Sequence, residues 1–131
     1  MIDMNKIKER FPVLDELNGI HSFLNTEVFP DDGNELSARL TVIGAYEARL
    51  VMIAADARLL RDEATRRAFD LHHEMITGFR PHVATRYLSS LTPEENYLIT
   101  IAEELLDVCK RQGDYLRTQI SLIKSSMSIV C

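Results

Sequence analysis

The chain has no tryptophan and few aromatic residues of any kind, 7% in all. Proteins that bind single-stranded nucleic acid stack bases on aromatic rings, so this shortage argues against that class. Two cysteines, Cys109 and Cys131, are too few for a disulfide framework, and the expected compartment is a reducing one, the cytoplasm. No stretch approaches the roughly eighteen consecutive apolar residues of a membrane span. The charged opening from Met1 to Arg10 lacks the apolar segment of a secretory signal. Between Glu35 and Thr77 there is no proline and a single glycine, Gly44. Nothing in that run would break a helix.

What is present describes an ordinary globular chain. At 131 residues it is long enough for one domain with a real core. Its apolar share of 46% and charged share of 27% fit a folded protein rather than a disordered one. The net charge of −5 is unevenly spread. Residues 1–34 hold three basic and seven acidic groups, and residues 87–131 hold four and six. Residues 35–86 hold eight basic groups against seven acids, and every basic one is arginine. The acidic total argues against broad nucleic-acid binding. Guanidinium forks suit carboxylate and phosphate partners, but arginine is also a good helix former that pairs with acids four residues away.

Helical periodicity dominates the chain. Residues 2–10 read as a charged turn or arm. Val13, Leu14, Leu17, Ile20, Phe23 and Leu24 then follow helical spacing, with Gly19 as a weak point. Pro30 to Asn34 is a turn cluster in which Asp32 or Asn34 can cap the next helix. That helix, about 35–77, carries apolar residues on two faces. Leu40, Ile43, Leu50, Ala54 and Ala57 build one, and Val42, Tyr46, Ile53 and Leu60 the other. A surface helix needs one apolar stripe, so two imply a central position. The second face is therefore the expected oligomer interface, and Ile53→Asp is expected to dissociate the assembly while sparing helicity. Beyond Leu60 the helix turns polar and is stopped by Gly78 and Pro81. A short helix fits between Phe79 and Leu91. Thr92-Pro93-Glu94-Glu95 is a strong start signal, with a capping hydroxyl, a first-turn proline and an acid at the capping-box position. The last helix follows it to about residue 127, antiparallel to the long one.

Chemistry-bearing motifs are scarce. Asp70 and His73 share a helix face, with His72, Glu74 and His82 near in sequence. A di-metal bundle requires such pairs on two helices, and there is only one, so no metal is assigned. Glu103, Glu104 and Asp107 read as a solvated acidic face. No phosphate loop, nucleophile elbow or partnered nucleophile is present, so neither catalytic residues nor a cofactor is assigned. The arginine-rich end offers one candidate site for an anion such as a nucleotide: Arg58, Arg61, Arg66, Arg67, Arg80, His82 and Arg86. The competing account pairs Asp62 with Arg66 and Glu63 with Arg67 along the helix.

The stretch from Leu91-Thr92-Pro93-Glu94-Glu95 to Leu116-Arg117-Thr118-Gln119-Ile120-Ser121-Leu122-Ile123-Lys124 resembles the ends of small helical proteins encoded by bacteriophages and prophages. In those a similar run follows a long helix rich in alanine and arginine. The resemblance implies a phage accessory protein and no mechanism. Together these readings predict an all-α bundle built on a long antiparallel hairpin, one domain over residues 1–131 with 1–12 as a candidate flexible arm. The expected function is that of a non-catalytic, homo-oligomeric protein binding a host or phage protein in the cytoplasm, with no membrane association. Two alternatives stand beside it: sequestration of an anionic nucleotide, such as a host defence signal, and single-stranded nucleic-acid binding in recombination.

Overall fold

The computed structural model describes residues 3–26 and 32–130, with side chains described to residue 126. Val28 and Phe29, with Pro30 and Asp31 of the turn cluster, and the terminal Cys131 lie outside the described residues. The described residues form five helices and no strand: α1 (Met4–Arg10), α2 (Val13–Leu24), α3 (Gly33–Ile76), α4 (Pro81–Ser90) and α5 (Pro93–Val130). The two long helices pair antiparallel and supply most of the packing. At 44 residues and about 1.5 Å per residue, α3 runs roughly 66 Å.

The seam between α3 and α5 repeats every seven residues. Leu36, Ile43, Leu50 and Ala57 of α3 are buried, as are Ala102, Cys109 and Leu116 of α5. A seven-residue repeat keeps the same face turned to the neighbour along its length, which is how two long helices stay in contact. Helix α2 lays Leu14, Leu17, Ile20 and Leu24 across this pair. Asp32 caps α3 by accepting from the backbone N–H of Asn34 and Glu35, at 3.0 and 3.2 Å. Pro81 opens α4, where its missing N–H is harmless. Edge-on ring contacts of Tyr87 with His72 and Phe79, each at 5.8 Å between centroids, fold α4 back onto the far end of α3.

Three expectations change. Residues 3–10, within the candidate arm, are docked: Asp3 caps α1, and Ile7 is completely buried. Arg10 extends this docking through ion pairs to Glu94 and to the buried Glu95 at the start of α5. Glu95 therefore serves Arg10 rather than a capping box, and the Thr92 hydroxyl donates to the Ser89 carbonyl. The second apolar face of α3 is covered by the chain itself. Ile53 is 3% exposed, and Tyr46 packs edge-on against Phe23 of α2. Val42 and Leu60 remain as exposed edges of that face.

Gly19 sits within α2 with open space where a Cβ would project. Gly19→Ala should therefore stabilise the fold by about 0.5–1 kcal/mol through helix propensity alone. Denaturant melts followed by circular dichroism check this; a loss of stability would mean that α2 is packed more tightly there than described.

Candidate functional site

The structure places two members of the candidate arginine cluster. Arg58 reaches across to Glu103 of α5 and is spent on holding the hairpin together. Arg61 lies 3.6 Å from Asp62 and lines a cleft of about 390 Å³ with Thr65, Thr85, Leu88, Ser89, Thr92 and Asn96. Arg66, Arg67, Arg80, His82 and Arg86 do not line that cleft. Of the seven, Arg61 alone faces it. The proposed helical pairs Asp62–Arg66 and Glu63–Arg67 are not among the ion pairs of the described residues either. His73 is turned to its own helix, with Nδ1 3.1 Å from the Asp70 carbonyl, and His72 packs on Tyr87. Among the described residues no three His, Cys, Asp or Glu side chains are grouped to hold a metal ion.

The surface that the chain leaves open lies on the opposite side of α3 from its core. Ala38, Thr41, Ala45, Ala48, Met52, Ala55 and Leu59 alternate at spacings of four and three, and every one is exposed. Val51, at 51%, Met52, at 56%, and Leu59, at 60%, are large apolar residues facing water from the middle of a long helix. Helix α2 borders this strip on one side, where Arg49 makes a two-pronged ion pair with Glu16 at 2.6 and 2.9 Å. The hydrogen bonds from Arg49 hold the Glu16 carboxyl below its ordinary range, against the opposing effect of desolvation. A depressed carboxylate contributes stability above its unfolded pKa and loses it as pH falls through the folded value. Solvent screening keeps that contribution small, since both side chains are 40% exposed or more. Asp56 lies on the same edge, one heptad beyond Arg49, and joins no ion pair among the described residues.

Two residues matter to the fold in ways that periodicity does not reveal. Arg39 is 8% exposed and closes the C-terminal end of α2. It donates to the Phe23 and Leu24 carbonyls at 3.1 and 3.2 Å, to Thr26 Oγ1 at 2.7 Å and to Gln112 Oε1 at 3.1 Å. Cys109 is fully buried, and desolvation, aided by the charge of Glu47, pushes its thiol up to about 11. It is a packing residue, because the thiolate is the reactive form. In a Cys131→Ser background, a thiol reagent at neutral pH should leave Cys109 unlabelled until denaturant is added. Rapid labelling of the native protein, read by mass spectrometry, would contradict this.

No protein-family model, curated protein or solved structure matches this chain.

Proposed function

We propose that this chain is a non-catalytic helical interaction protein that works as a homo-oligomer and acts by binding another protein, of a phage or of its host. The observation that carries this reading is the exposed strip of α3. A monomer would hold Met52 and Leu59 in water on one straight face, with Val51 exposed on its flank, beside alanines that allow another helix to come close. Large apolar residues gathered on one face mark interaction surfaces, whereas scattered ones are ordinary. The likeness of residues 91–124 to phage helical proteins supplies the setting. Light scattering on the purified chain tests the first requirement. The mass should be a multiple of 15.0 kDa across a wide dilution series. A constant 15.0 kDa would remove the oligomer from the proposal.

A second reading, capture of an anionic nucleotide, rests on Arg66, Arg67, Arg80 and Arg86, which are exposed and make no ion pair among the described residues. A thermal-shift screen against nucleotides separates the two. A ligand at a hundred times its dissociation constant would stabilise the fold by about 2.7 kcal/mol. That gain should vanish in Arg66→Ala with Arg67→Ala. Absence of any shift, on an oligomer of stable mass, leaves protein binding. Single-stranded nucleic acid would instead show affinity falling steeply with salt.

A further inference from the structure

The inner seam of α3 (Leu36, Ile43, Leu50, Ala57) is met by α5, while the outer seam repeats on the same heptad and stays exposed among the described residues. Such a helix is patterned to lie between two others. Taking the chain to be an oligomeric interaction protein, as proposed above, we infer that two copies pair antiparallel through the outer seam, with Met52 of one against the partner's Ala55. Side-chain size selects the direction. The first half of the seam is small (Ala38, Thr41, Ala45, Ala48) and the second half carries Met52 and Leu59, beyond which the same heptad positions hold Asp62, Arg66 and the exposed Phe69. Antiparallel pairing sets Ala48 against the partner's Leu59 and Ala38 against the partner's Phe69. The layers of Met52 with Ala55, Leu59 with Ala48 and Phe69 with Ala38 then each hold one small and one large residue, while the exposed Asp62 and Arg66 stand against Ala45 and Thr41. A parallel pair would stack alanine on alanine and leucine on leucine, leaving layers that cannot all be filled to protein density.

Charge selects the register. Arg49 and Asp56 occupy equivalent heptad positions on one flank of the seam. With Met52 against the partner's Ala55, Arg49 faces the partner's Asp56, and two-fold symmetry makes that pair twice. Asp56 brings a carboxylate without an ion pair in its own chain, and Arg49 remains about half exposed beside Glu16. Sliding by one heptad in one direction brings Arg49 against the partner's Arg49. Sliding the other way brings Asp56 against the partner's Asp56. Both neighbouring registers are thus penalised by like charges. The contact ends where Glu35 would approach the partner's Asp70, a like-charged pair that offers no further gain.

The test uses the full chain with Cys131→Ser, carrying either Met52→Cys or Ala55→Cys. Both positions are exposed, so folding is not at stake, and buried Cys109 stays out of the exchange. Under mild oxidation, a mixture of the two variants should cross-link several-fold more than either alone, because only the mixture places two thiols in one layer. Met52→Cys cross-linking alone as readily as the mixture would mean parallel helices and overturn the inference. A dimeric mass by light scattering without cross-linking in any sample would place the association on another surface. The inference would then fall while the proposed oligomer stands. A monomeric mass would sink both.

Discussion

Ile53→Asp should unfold the chain, while Met52→Asp, one residue away, should leave its helicity intact. The two positions differ by about 100° around α3, and that rotation carries the side chain from the core to water. Ile53 is 3% exposed and belongs to the same apolar cluster as Leu50 and Ala57, whereas Met52 is 56% exposed. An aspartate at 53 loses the buried isoleucine and buries a carboxylate, while Arg10 and Arg49, which line the same cavity, are already engaged by Glu94, Glu95 and Glu16. Each of these faults costs several kcal/mol, and together they reach roughly 4–6 kcal/mol. Against a typical stability of about 5–15 kcal/mol, that is enough to leave much of the chain unfolded. Met52→Asp removes only half-exposed surface and should cost under about 1 kcal/mol within one copy. Far-ultraviolet circular dichroism with light scattering reads both effects. A folded Ile53→Asp of reduced mass would return Ile53 to the oligomer interface. An unfolded Met52→Asp would mean that the strip is covered by the chain itself.

This pair of residues also marks what was legible in the sequence. Helical periodicity located α2 and the long hairpin, because propensity, the proline–glycine stop after Thr77 and the Thr-Pro start at 92 all act locally. It also found two apolar faces on α3. It could not tell which face the chain would cover for itself, because that depends on where α1 and α2 come to rest. The exposed strip escaped notice for a related reason. Alanine weighs little as a hydrophobe, so the three-four alternation from Ala38 to Leu59 stands out only once its exposure is known. Nearness in sequence groups the arginines. In space, Arg58 is engaged by Glu103, 45 residues away, and Arg61 lines the cleft beneath α4. Arg10 and Glu95, 85 residues apart, show the same limit: a long-range ion pair replaced the local capping box that the spacing suggested.

Arg39→Ala should destabilise the fold by about 2–3 kcal/mol, and to nearly the same extent at mildly acidic and mildly alkaline pH. Two effects oppose each other here. Burying the guanidinium is costly: desolvation lowers its pKa against the pull of Glu35, and its Nε finds no partner. In return it makes four hydrogen bonds, places a cation at the C-terminal end of α2 and lies 4.5 Å over the Phe23 ring. Removing it does not orphan every acceptor. The Leu24 carbonyl keeps Gln112 Nε2 at 2.8 Å, and the Phe23 carbonyl keeps the Thr26 hydroxyl at 2.6 Å. The loss should therefore fall short of the 3–5 kcal/mol typical of breaking a buried ion pair. An arginine stays ionised across this pH range even when its pKa is lowered, so the loss should not titrate. Arg39→Lys should recover less than half, because a point charge cannot reach acceptors on α2 and α5 together. A double-mutant cycle with Gln112→Ala should show coupling, since both side chains bind the Leu24 carbonyl and each other. Additive losses would mean that α2 is held by its apolar contacts alone. Arg39 points toward α2 and α5, away from the outer strip of α3, so its loss should loosen α2 without changing the mass of the assembly. A drop in mass would show that α2, which borders the strip through Glu16 and Arg49, is itself part of what the partner recognises.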